Sequence, residues 1–291
     1  QDVGRKILQS RDELCHHAGA IMTNWLANFL VLALYLALAA VSAMRLRRGQ
    51  TAGGAAKSAL LGVGLIAVLL HAFVLYGGPQ SGAGINLSLT AAAALVAWVV
   101  VCLYLLVSLW RPIDNLGVIV LPLAAAAVLL EWVHPSELTV PFTSRAQAIH
   151  IVVALVAYSL LALAAIQSVM LLLQENKLRH KQPGGILRAL PSMQTTEETM
   201  FQMIGLGFAL LTVTLVSGVF FSERVFGTPF KFTHHIVLAA LGWIVYAWLL
   251  VGRWRFGWRG KTAVRWTLSG FGLLVLGYFG TKFVLEIILQ R

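Results

Sequence analysis

Acidic residues are scarce in this chain: Asp and Glu together number 11 in 291 residues, against 22 Lys and Arg. There is no HExxH, no carboxylate pair at metal-ligand spacing, no serine nucleophile setting and no phosphate-binding glycine loop, so hydrolytic and nucleotide-driven chemistry find no support. Cysteine is rarer still. Cys15 lies in a polar stretch and Cys102 in an apolar run, and neither belongs to a CxxC or CxxCH pattern, so no disulfide, thiol relay or covalent c-type haem attachment is encoded. Charge of either sign is missing from long stretches. Only 11% of residues are charged and 59% are hydrophobic, far from the roughly 25% charged of soluble domains.

What is present is a set of apolar runs, each long enough to cross a hydrocarbon core of about 30 Å, which takes about 20 residues. They cover roughly 24–44, 56–76, 86–109, 116–133, 147–173, 203–221, 235–252 and 266–288. The expected fold is therefore all-α, a polytopic membrane bundle of about eight transmembrane helices. Ahead of it, residues 1–21 hold three acidic and three basic side chains and no apolar run. They read as a polar, disordered N-terminal extension rather than a signal peptide, and 22–291 as a single bundle domain.

Basic residues fall in alternate connections. Of the 22 Lys and Arg, 14 lie in the first, third, fifth and seventh loops, among them Arg45, Arg47, Arg48 and Lys57 in the first and Arg253, Arg255, Arg259, Lys261 and Arg265 in the seventh. By the positive-inside rule those loops are cytoplasmic and both termini lie outside. The same rule accounts for the net charge of +11, so nucleic acid is not an expected partner and lipid is.

Polar residues inside the runs are few. His71 precedes the outward end of the second span by about five residues and His150 follows the outward start of the fifth by about four; at 1.5 Å per residue both are roughly 6 to 8 Å below the outer boundary. Two imidazoles from separate helices at one depth are suited to hold an iron porphyrin edge-on, as axial ligands with apolar walls over its faces. That reading makes His71 and His150 ligands of a non-covalent haem b. A membrane histidine also serves as a plain polar bridge between helices. His134, His234 and His235 lie at the same surface. Glu131 is placed to meet a ligand histidine or Arg145, while Lys282 and Glu286 form an i,i+4 pair. Tryptophans near predicted ends read as interface anchors, and Gly205, Gly207, Gly218, Gly270, Gly272, Gly277 and Gly280 as close-packing faces. Within PSMQTTEETMFQ, Thr195 or Thr196 ahead of Glu198 reads as a helix cap.

Several segments resemble the CcsA/YpjD branch of the cytochrome c assembly membrane proteins: LLHAFVLY in the second span, HIVVALVAYSLLALAAIQSVMLLLQENKLR, TMFQMIGLGFALLTVTLVSGVFF, HHIVLAALGWIVYAWLLVGRWRFGWRGKTAVRW and the late LGYFG. The resemblance runs from Met22 to the C-terminus. It implies a haem-handling protein of the bacterial inner membrane, with apocytochrome or other maturation proteins as partners. It also implies that His71 and His150 match membrane histidines and that His235 flanks the haem-presenting region. The tryptophan-rich WWD segment of the full assembly proteins is absent, since SERVFGTPFKFTHH contains no tryptophan; complete synthase activity is therefore not implied. Two other classes fit the same runs: a small-solute or ion permease lined by the histidines and Glu131, and a non-enzymatic subunit that packs against a membrane complex through its glycine faces.

Overall fold

A computed structural model describes residues 2–50, 53–77, 84–135, 138–141, 144–179, 190–220 and 234–289, and within 2–23 the backbone alone. Among the described residues, eight helices are long and apolar enough to cross a membrane. They are α1 (Asp2–Arg47), α2 (Gly54–Tyr76), α3 (Leu89–Ser108), α4 (Gly117–Val133, entered by a 3-10 turn at Asp114–Leu116), α5 (Arg145–Arg179), α6 (Met193–Phe220), α7 (His234–Phe256) and α8, which begins as Gly260–Val275. Beyond Val275, α8 continues through two π-helical turns, Leu276–Gly280 and Val284–Ile288. Helices are the form that satisfies every backbone N–H and C=O without water, which is why apolar runs of this length fold this way in lipid. Eight crossings return the chain to the side it started from, and the basic loops make that side the outer one.

The spans agree with the apolar runs, and the differences share one cause. Hydropathy stops at the headgroups, whereas a helix stops only where its backbone is capped. So α5 runs on to Arg179, α6 starts ten residues before its apolar run and α8 six before. The α6 cap is Ser192, whose Oγ accepts from the Thr195 backbone N–H at 3.1 Å, and not Thr195 or Thr196 as the capping pattern suggested. Helix α1 likewise has helical backbone from Asp2.

Two groups of helices are evident. In the first, α1 packs on α2 and α4 and α3 packs on α2 and α4; in the second, α5 packs on α6 and α8 and α7 packs on α8 and α6. Helix α3 also packs on α5 and joins the groups. On the outer side, β1 (Gly84–Asn86) and β2 (Thr139–Pro141) form a short antiparallel ladder with Ile85 opposite Val140.

Between helices in lipid there is no hydrophobic drive, so close van der Waals approach and hydrogen bonds carry the packing. At Gly207 a Cβ would lie 2.9 Å from Leu161 of α5, and at Gly270 2.9 Å from the buried ring of Tyr246. Gly205 and Gly272, expected on the same faces, meet nothing within 4 Å. Trp98 and Trp243 are cross-links rather than interface anchors: their indole N–H groups donate to the Val68 carbonyl at 3.0 Å and to Thr212 Oγ1 at 2.8 Å. At the cytoplasmic end Arg253 of α7 donates to Glu197 of α6 at 2.6 Å, and Glu197 also accepts from the Gly260 N–H at 3.4 Å, which ties the start of α8 into the same corner.

Candidate functional site

His71 lies on α2 and is fully buried. Its Nδ1 pairs with the hydroxyl of Tyr35 on α1 at 3.0 Å, and the rings meet edge to face with centroids 5.7 Å apart. Tyr35 is itself fully buried. The bond fixes the imidazole plane. The opposite nitrogen, Nε2, is buried with no hydrogen-bond partner among the described residues. A ring held through one nitrogen with the other aimed into apolar surroundings is the arrangement metal-ligating histidines adopt.

His150 occupies the outward end of α5 and faces the second group of helices. Its Nδ1 is 2.8 Å from Ser217 Oγ on α6, and its Cε1 lies 3.5 Å from where a Cβ on Gly218 would be. Ser217 in turn donates to the Thr214 carbonyl at 3.0 Å, so the hydroxyl accepts from the imidazole Nδ1–H. Coordination by His150 would then go through Nε2. His235 is the second residue of α7. Its ring stands edge-on to Tyr278 of α8 at 6.1 Å, and Tyr278 is carried by the first π turn. Tyr158, two turns along α5 from His150, ends in a hydroxyl that is buried without a partner among the described residues. His150 with Ser217, and His235 with Tyr278, thus make two polar contacts near the outward ends of these helices.

The structure places His150 against Ser217 of α6 and His235 against Tyr278 of α8. Among the described residues no contact joins His71 to His150. Helix α3 packs against both α2 and α5, and an apolar cavity of about 480 Å³ lies between α3 and α5, walled by Trp98, Cys102, Ile151 and Leu155 and lined by none of the three histidines. The side chains of His134 and His234 are exposed. Thr90 Oγ1 of α3 donates to the His134 carbonyl at 3.1 Å, and Glu131 Oε2 is buried without a partner among the described residues. Lys282 and Glu286 pair at 3.2 Å as expected, and Glu286 also reaches a second helix, where its Oε2 accepts from the Leu89 N–H at 2.8 Å and caps the start of α3. The loop 221–233, where a WWD segment would fall, lies outside the described residues.

The donor set fits a porphyrin iron, which takes one imidazole nitrogen in each axial position. It does not suit a bare metal ion needing three or four ligands, since among the described residues no three His, Cys, Asp or Glu side chains converge. Tyr35, Ser217 and Tyr278 were not singled out from sequence. Each is a moderately polar residue in an apolar run, recognisable only by the histidine it touches.

Comparison with known proteins bears on the same helices. The family described as cytochrome C assembly protein matches residues 58–289, most of the chain and all helices from α2 to α8. The chain belongs to the cytochrome c assembly protein family. Within it, the chain is 28% identical over 246 residues to the inner membrane protein YpjD of Escherichia coli K12, covering 82% of this chain and 90% of that protein. It is 29% identical over 138 residues to protein HemX of Brevibacillus brevis, covering 47% of this chain and 51% of that protein. It is 32% identical over 103 residues to the cytochrome c biogenesis protein CcsA of a Synechococcus species (strain JA-3-3Ab), covering 35% of this chain and 30% of that protein. No solved structure matches. As a cytochrome c assembly family member, the chain has the eight-span, multi-pass architecture its hydropathy predicted.

Proposed function

We propose that this protein handles haem b for cytochrome c assembly at the outer face of a bacterial inner membrane, as a carrier or holder rather than a complete synthase. The observation that carries this reading is a pair of positioned imidazoles at the outward ends of α5 and α7, His150 held by Ser217 and His235 packed on Tyr278, in a protein of this family. These two imidazoles would hold one haem. Haem, when bound, would contribute the iron that is oxidised or reduced. Ser217 orients His150 and Tyr278 packs against His235. His71 is a second candidate ligand, held by Tyr35 and with Nε2 unengaged. Apocytochrome and other maturation proteins are the proposed partners at that face.

The test is the absorption spectrum of the detergent-solubilised protein, oxidised and reduced. A b-type Soret band is expected that weakens or shifts in His150→Ala and in His235→Ala. A spectrum unchanged when His71, His150 and His235 are all alanine would remove the proposal. A band lost only in His71→Ala would move the iron to α2.

A further inference from the structure

We propose that the cytoplasmic end of the bundle holds a binding site for a phosphate group, first of all that of an inner-leaflet phospholipid. A cavity of about 400 Å³ opens where the end of α1, the start of α2, the turn into α4 and the start of α6 converge. Among the described residues no histidine lines it, and its walls carry two cations, Arg45 and Lys57, and one carboxylate, Asp114. Lys57 pairs with Asp114 at 3.7 Å. Arg45 Nη1 is buried with no hydrogen-bond partner among the described residues. Beside it Asn115 is only 7% exposed, and neither its Oδ1 nor its Nδ2 has a partner among them.

Three unmade hydrogen bonds on one wall are expensive, since each buried orphan has lost its water and gained no partner. A corner serving structure alone does better with apolar side chains. The chemistry of the orphans defines what would satisfy them. Arg45 Nη1 and Asn115 Nδ2 each ask for an acceptor, and a guanidinium favours an oxyanion. Asn115 Oδ1 asks for a donor, and this one-acceptor, one-donor demand holds whichever way the amide is turned. A phosphodiester whose headgroup carries a hydroxyl or an ammonium supplies both. Height agrees with a lipid source: Arg45, Arg47, Arg48 and Lys57 mark the cytoplasmic boundary, where headgroups lie. Leu46, Leu60 and Leu190 give the cavity an apolar wall for the glycerol and upper acyl chains. Free inorganic phosphate, which carries a P–OH at neutral pH, offers the same chemistry from the cytosol.

Titration calorimetry on the full chain, delipidated in neutral detergent, separates these sources. The probes are dihexanoylphosphatidylglycerol, sodium phosphate and, as a neutral control, dihexanoylglycerol. Saturable binding of the phospholipid and none of dihexanoylglycerol is expected. Arg45→Gln should weaken that binding about tenfold, Arg45→Lys should restore part of it, and Arg47→Gln, a neighbour outside the cavity, should leave it unchanged. Asn115→Leu should abolish binding without lowering the ligand-free melting temperature; should that variant fail to fold, the Arg45 series decides alone. Phosphate binding in the absence of phospholipid binding would overturn the lipid assignment in favour of a cytosolic phosphate. Equal affinity of wild type and Arg45→Gln, or equal binding of dihexanoylglycerol, would overturn the site altogether.

Discussion

Replacing Tyr35 by Phe removes one oxygen from the middle of the first helix group and leaves His71 with neither ring nitrogen engaged, because Nε2 already lacks a partner. Interhelical hydrogen bonds in membranes contribute about 0.6 kcal/mol on average and up to about 1.7. A buried group left unsatisfied costs about 1 to 3 kcal/mol. Both partners here are fully buried, so a loss of about 1 to 2 kcal/mol is expected for Tyr35→Phe. His71→Leu should cost a similar amount, now because the tyrosine hydroxyl is stranded. The double variant removes both polar groups together and should be more stable than either single one, with a coupling energy of about 1 to 2 kcal/mol. Denaturant titration in mixed micelles, followed by tryptophan fluorescence, measures all four corners of the cycle. Additivity to within about 0.5 kcal/mol, the usual result for independent sites, would show that the 3.0 Å contact does not hold α1 to α2.

Other outcomes follow from the same reasoning. Gly270→Ala forces a Cβ to 2.9 Å from the buried Tyr246 ring and should destabilise by about 1 to 3 kcal/mol, while Gly272→Ala, which meets nothing within 4 Å, should be neutral; thermal unfolding in detergent distinguishes them. Glu197→Gln breaks the 2.6 Å pair with Arg253, whose side chains are 13% and 25% exposed; discounting for that exposure, a loss of about 1 to 2 kcal/mol is expected, smaller at high salt. Glu286→Gln weakens an anionic cap on the α3 N-terminus and should cost about 0.5 to 1 kcal/mol, with faster amide exchange in the first turn of α3 as the local readout.

The bundle was legible in the sequence because lipid imposes a length rule that each apolar run either meets or fails. His71, His150 and His235 were legible for a related reason: a titratable side chain inside such a run is conspicuous. Their partners were not. Tyr35 sits within VLALYLALAA with nothing to separate it from its neighbours, and the Ser217 contact depends on how α6 is rotated against α5, which no spacing along either helix records. Equal depth suggested that His71 and His150 belong together. Depth is one coordinate of three, and the other two are set by packing, which assigns the histidines to different helix groups with α3 between. The capping role of Glu286 escaped notice because its i,i+4 lysine was sufficient reason for it to be there, while its contact on α3 is 197 residues away.

The short ladder between β1 and β2 has a mechanical consequence. It fastens the connection leaving α2 to the connection entering α5, with Leu87 N–H donating to the Leu138 carbonyl at 3.0 Å and the Asn86 side chain accepting from the Leu138 N–H at 3.1 Å. The α3–α4 hairpin is thereby clasped at its outer rim as well as by its own turn below. The helix that carries His150 and the helix that carries His71 are therefore linked at the outer rim through these strands as well as through their packing on α3.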